Sequence, residues 1–207
     1  MSVTSPVVSE GLTPPSVVTT DELTTIVFGD GPSNGFQAEI EDKTVITSTE
    51  APLKKAEVTV NAQKGETVEL TVEATEVKKT DITVDGRGAL DLTVNAEKLK
   101  KSTVSGKAKD DSISFGDARL RKVEVDLGKG DDTVTFGEGA SFRGRNFVDL
   151  GKGGADVVEF EGEEPSKGKI IINNFDENDK LIIGGETFTK DDIEDDTFSN
   201  IKINFAD

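Results

Sequence analysis

The chain has 207 residues with 41 acidic and 24 basic side chains, and it contains no cysteine, histidine, tryptophan or tyrosine. A formal charge of −17 opposes nucleic acid and anionic membrane surfaces, which need clustered Lys and Arg, while the missing cysteines exclude disulfides and thiolate metal sites. Val, Ile, Thr and Phe together with 21 glycines favour strands and turns over helices.

Residues 1–35 are rich in Ser, Thr, Pro and Val, and residues 1–42 contain seven acids and no Lys or Arg. The opening residues show no basic start followed by an apolar run, so no secretory signal is expected, and no stretch approaches the roughly 18 apolar residues of a membrane span. Such a segment lacks the apolar periodicity to fold alone and reads either as a flexible tail or, preferably, as an extended arm docked on a neighbouring protein. Residues 36–48, FQAEIEDKTVITS, fit a degenerate first coil, with Val45 placed where Val68 stands in the next.

From Lys54 onwards the sequence repeats every 21 to 24 residues. Each unit opens on a basic pair and an alternating segment: KKAEVTV from Lys54, KKTDITV from Lys78, KKSTV from Lys100, RKVEVDL from Arg121, then GRNFVDL from Gly144 and KGKIII from Lys167. Period-2 alternation predicts strands. A turn follows, mostly glycine-rich, and then a second strand with two apolar columns. One column is Val68, Leu92, Ile113, Val134, Val158 and Leu181, and the other is Leu70, Val94, Phe115, Phe136, Phe160 and Ile183. A third, Leu53, Val77, Leu99, Leu120 and Phe142, stands beside the basic pairs.

A period of this size with three inward columns predicts an all-β, right-handed parallel β-solenoid (β-helix or β-roll-like) of about six coils over residues 36–183, roughly triangular and capped at both ends. Residues 184–207, with the acidic run DDIEDD from Asp191 and a final alternation at Ile201, Ile203 and Phe205, are expected to cover the last coil and protect its strand edges.

Two residues before the first apolar position of each second strand stand Glu66, Leu90, Asp111, Asp132, Asp156 and Asp179. Here Gly128, Gly130, Asp132 and Val134 resemble the G-x-G-x-D-x-U part of the haemolysin-type calcium-binding nonapeptide of RTX proteins, and IIINNFDENDKLIIGG from Ile170 is similar to the coil that closes many RTX regions. The resemblance covers about residues 104–189. It implies Ca²⁺ held between the turns of successive coils by the carboxylates of Asp111, Asp132, Asp156 and Asp179 and by carbonyls of the glycine turns at Gly128, Gly130, Gly151 and Gly153. The pattern also departs from that family. Leu127 occupies the first glycine position of the best copy, the other turns carry an extra residue, Asp179 has no glycine turn before it, and each coil has one glycine corner instead of two. Two carboxylates about 5 Å apart repel by ~0.8 kcal/mol in water and by ~3 kcal/mol at an effective dielectric of 20. A stacked column therefore needs compensation, and besides calcium the sequence offers a parallel column of cations at Lys64, Arg87, Lys107, Lys129 and Lys152.

With no His, no Cys, no nucleophile elbow and no Trp or Tyr platform for sugars, no catalytic constellation is expected; neighbouring acids such as Asp110 and Asp111 point to opposite faces of a strand. The sequence reads as a non-enzymatic structural protein, a rigid prong or decoration protein fixed by its N-terminal arm to a protein partner in a larger assembly such as a phage virion surface. A triangular section is compatible with association as a homotrimer. The alternative reading is a secreted, extracellular or cell-surface RTX-like adhesin or surface-layer protein, exported by a type I system.

Overall fold

The computed structural model describes residues 15–20, 23–28, 33–162, 168–193 and 201–205. It is a parallel β-solenoid of about seven turns, with no α-helix among the described residues. One sheet stacks seven parallel strands in chain order: Gln37–Ile40, Glu57–Val60, Asp81–Val84, Thr103–Ser105, Glu124–Asp126, Phe147–Asp149 and Gly168–Asn173. The other runs in parallel register from Thr24–Val27 through Thr44–Ser48, Thr67–Lys78, Ala89–Lys100, Ser112–Phe115, Thr133–Phe136 and Val157–Phe160 to Lys180–Ile183. The two long strands continue to a short third side, where Leu53–Lys54 and Arg119–Arg121 stack on their ends and Ser141–Arg143 stacks on Arg119–Arg121.

Alternation puts one residue in two inside, and stacking brings each inward residue against its equivalent one coil away. The third column forms as the sequence predicts: Leu53 pairs with Val77, Val77 with Leu99, Leu99 with Leu120 and Leu120 with Phe142, all buried. In the second sheet Phe136 lies stacked between Phe115 (centroids 5.5 Å apart) and Phe160 (5.1 Å), and Phe142 meets it edge-on at 5.1 Å. Offset-stacked and edge-on pairs suit the ring quadrupole and add to the area buried.

Two registers differ from the sequence reading. Val68 stacks on Leu90 and Leu70 on Leu92, so the apolar columns are Leu70, Leu92, Ile113, Val134, Val158, Leu181 and Val72, Val94, Phe115, Phe136, Phe160, Ile183. Glu66 accordingly lies outside the aspartate column. The turn 61–66 is two residues longer than the turn 85–88, and a two-residue slip keeps every side chain on its own face, so alternation does not detect it. Likewise Val45 lies beside Thr71, not Val68; Thr44 and Ile46 are buried residues of that strand, stacked on Leu70 and Val72.

The solenoid also starts earlier than residue 36. Thr24–Val27 pairs in parallel with Thr44–Ser48, burying Ile26, and Ser33–Asn34 pairs with Leu53–Lys54. This part of the expected arm is a coil, and it is hard to see in the sequence because its inward positions include Thr24. Residues 1–14 lie outside the described residues. Ser16–Thr19 folds back antiparallel on Thr24–Val27. At the other end Glu186–Phe188 runs antiparallel to Lys180–Ile183, and Ile201–Phe205 antiparallel to Gly168–Asn173 with Ile201 and Ile203 packed on the core. Reversed strands thus occupy the hydrogen-bonding edges of both stacks at the C-terminal end and of the second sheet at the N-terminal end, while Gln37–Ile40 is the N-terminal edge of the first sheet among the described residues. Of the acidic run, Glu194, Asp195 and Asp196 lie outside the described residues.

The corner between the third side and the first sheet needs a left-handed residue on each coil. Lys55, Lys79, Lys101 and Lys122 take it with φ of 50°, 54°, 53° and 56°, while Gly35 and Gly144 serve two other coils at 78° and 73°. This conformation costs an L-residue roughly 1–2 kcal/mol that glycine avoids.

Candidate functional site

Asp111, Asp132, Asp156 and Asp179 come together as one column, between 0 and 2 % exposed, beside the glycine corner. They are linked by a repeated hydrogen bond. Oδ1 of Asp111 accepts the backbone N–H of Leu90 at 2.7 Å, Oδ1 of Asp132 that of Asp111 at 2.6 Å, Oδ1 of Asp156 that of Asp132 at 2.8 Å, and Oδ1 of Asp179 that of Asp156 at 2.9 Å. Each aspartate thus binds the N–H one coil earlier, and Asp111, Asp132 and Asp156 offer their own N–H to the next carboxyl, while that of Asp179 goes to the Asp176 carbonyl at 3.3 Å. The strand that follows cannot use these amides, because the turn lifts them out of the ladder; without the side chain they would be buried donors with no acceptor. The first member, Leu90, has no carboxyl, and Asp179 ends the run by also accepting the N–H of Asp176 at 2.6 Å.

Burial dominates the electrostatics. Desolvation pushes the carboxyl of Asp132 up to about 7 and those of Asp111 and Asp156 to about 6, against the smaller opposing pull of the donated N–H bonds, and neighbouring aspartates add to the rise. Asp179 moves the same way for the same first reason. The second oxygens of Asp111 and Asp132 are buried with no hydrogen-bond partner. A neutral carboxyl in this setting keeps its acceptor oxygen and spares the ladder a row of buried like charges.

The glycine corner stands against the column. Gly128, Gly130, Gly151 and Gly153 all have positive φ, of 90°, 139°, 83° and 72°. Their reasons differ. A Cβ on Gly151 would lie 1.8 Å from the carbonyl oxygen of Gly128 one coil below, whereas one on Gly153 would meet nothing within 4 Å. Close stacking demands the first glycine, and turn conformation alone demands the second.

As a calcium site the donors are sparse. Oδ1 of each aspartate is already committed to an amide, the Gly128 carbonyl faces Gly151 and accepts the N–H of Lys152 at 3.3 Å, and among the described residues no group of three or more acids is close enough to hold a metal. Ca²⁺ asks for six or more oxygens. The parallel cation column makes no ion pair with these aspartates among the described residues. Lys107 bonds Asp85 at 2.7 Å, and it is the one member of that column with an ion pair among the described residues.

Further ladders go beyond the sequence reading. On the outer side of the same corner Asp110 Oδ1 accepts the N–H of Asp131 at 3.0 Å and Asp131 Oδ1 that of Ala155 at 2.9 Å, so this chain of bonds runs in the opposite direction. At the left-handed lysine corner, buried Ser102 accepts the N–H of Thr80 at 3.2 Å and buried Asn146 that of Val123 at 3.1 Å. The signal is present in the sequence as a small polar residue one or two places after the corner, as in Lys79-Thr80 and Lys101-Ser102.

Comparison of the chain with protein-family models, with curated proteins and with solved structures finds no match.

Proposed function

We propose that the chain is a non-enzymatic structural protein: a rigid solenoid prong, on the order of 30 Å long for seven coils, carried on a larger assembly through its N-terminal segment, with a phage virion surface as the setting. One observation carries the reading. A single core runs unbroken from Ile26 to Leu181, and antiparallel strands cover both sheets at the C-terminal end and the second sheet at the N-terminal end, which favours a rod of fixed length over a fibre that grows coil by coil. The composition supports a non-catalytic role, since the chain has neither His nor Cys for base or nucleophile. Incorporation tests it: full-length chain and chain lacking residues 1–14 are produced alongside the parent particle and the bound copies counted. Retention of the full-length chain alone, with equal melting temperatures for both, is expected; equal retention contradicts the reading.

A second reading, the secreted calcium-binding adhesin or surface-layer protein, draws on the unpartnered second oxygens of Asp111 and Asp132, which are free to meet a cation. Thermal unfolding in EGTA and in millimolar Ca²⁺ separates the two: a large upward shift with calcium favours the adhesin, and coincident curves favour the metal-free prong.

A further inference from the structure

On the third side of the solenoid, five basic residues stack in register on consecutive coils: Lys54 on Lys78, Lys78 on Lys100, Lys100 on Arg121 and Arg121 on Arg143. The corner lysines described above follow them one residue on, so nine of the chain's 24 cations form a double file along five coils of a protein with net charge −17. Like charges directly opposite one another on neighbouring strands destabilise a sheet. Within the file, Lys100 alone has an ion pair among the described residues, to Glu76 at 3.2 Å; Glu57, Asp81 and Glu124 line the adjoining sheet without pairing to it. The corner positions are equally costly locally, since Gly35 and Gly144 fill the same left-handed site on other coils without strain. Two separate penalties are therefore accepted to place cations at one spacing along one edge.

We infer that this double file is a binding surface for a linear acidic polysaccharide laid along the solenoid axis. Strands on successive coils are about 4.8 Å apart, so the file presents a pair of cations on each of four rungs and Arg143 on the fifth, at close to the advance of one sugar residue in an extended glycan. Carboxylate, sulfate or phosphate groups recurring along such a chain meet Lys and Arg on every coil, and Arg121 and Arg143 add planar two-pronged donors. Single-stranded nucleic acid is the less suitable occupant. Its binding sites pair a basic track with aromatic stacking platforms, and this chain has no Trp or Tyr and buries Phe115, Phe136, Phe142 and Phe160 in the core. The inference concerns a flank of the rod and stands whether or not the N-terminal segment anchors it.

The test uses the full-length chain with oligogalacturonate and heparin fragments as probes and single-stranded oligothymidylate of matched charge as the competitor class. Binding to at least one glycan probe is expected at low salt, weakening steeply as salt rises. The triple variant Lys78→Gln, Lys100→Gln, Arg121→Gln should lose at least tenfold in affinity while melting no lower than wild type, because like-charge repulsion has been removed. Lys129→Gln with Lys152→Gln, on the glycine corner, should bind as wild type does. Equal binding by the triple variant, no binding of either glycan at low salt, or tighter binding of oligothymidylate would each overturn the inference. So would a salt-sensitive dimer that the triple variant abolishes, since that would assign the file to a second copy of the chain.

Discussion

The backbone N–H of Asp132 is bonded to the carboxylate of Asp156, 24 residues on and one coil away, at 2.8 Å. The same relationship recurs from Leu90 to Asp179. The spacing that in the sequence suggests a row of ion ligands also builds, in the fold, a side-chain spine that satisfies one buried amide per coil.

Because the folded carboxyls lie near 6 to 7 for Asp111, Asp132 and Asp156 and an unfolded aspartate lies near 3.8, the native state binds more protons between those values. The slope of stability with pH is then negative. In calcium-free buffer the protein should be more stable at pH 5 than at pH 8, by on the order of a few kcal/mol, with stability falling as pH rises from about 4 and levelling off above about 7. Denaturant melts across that range check it; a stability that rises over the same interval goes against it.

Substitution at the most buried rung separates hydrogen bond from charge. Asp132→Asn retains an oxygen for the Asp111 N–H and cannot ionise, so it should match or exceed wild-type stability at pH 8 and flatten the pH dependence. Asp132→Ala leaves that amide without an acceptor and should cost about 1–3 kcal/mol. Should Asn prove as damaging as Ala, the carboxylate is needed for something other than its acceptor oxygen.

The glycine corner gives a paired comparison. Gly151→Ala drives a Cβ into the Gly128 carbonyl and should destabilise by several kcal/mol or prevent folding, whereas Gly153→Ala meets open space and should cost about 1 kcal/mol for its left-handed backbone. Similar melting temperatures for the two variants would contradict the stacking of these turns.

Phe136→Ala removes the middle ring of the Phe115–Phe136–Phe160 stack and should cost about 3–5 kcal/mol. Phe136→Leu, which refills most of the space, should recover much of it. A cost under 1 kcal/mol for the alanine variant would mean that the column does not stack.

Much of the fold is legible in the sequence. The third apolar column, Leu53 to Phe142, and the four aspartates can be read in true register because each is fixed by a local marker, the basic residues that follow the column residue and the apolar strand that follows the aspartate, whatever the length of the coil. Val68 and Glu66 are misplaced by sequence reading because a two-residue difference in turn length leaves inward residues inward, and only the neighbouring coil fixes which one meets which. The first coil is hidden because Thr24 and Thr44 occupy core positions usually held by aliphatic residues. The role of the aspartates is not legible for a different reason: a glycine turn followed by Asp serves equally to hold an ion or to accept an amide from the coil before. The amide each carboxyl accepts is defined only once the coils are stacked.

The most direct test of this account is the ionisation of the spine itself, followed by carbon-13 NMR of the aspartate carboxyls in the folded, calcium-free protein. The hydrogen-bonded ladder predicts that Asp132 titrates near pH 7 and Asp111 and Asp156 near pH 6. Carboxyls that stay ionised to below pH 4 in that state would contradict it, since a buried column of permanent charges could not persist without a cation to hold it together.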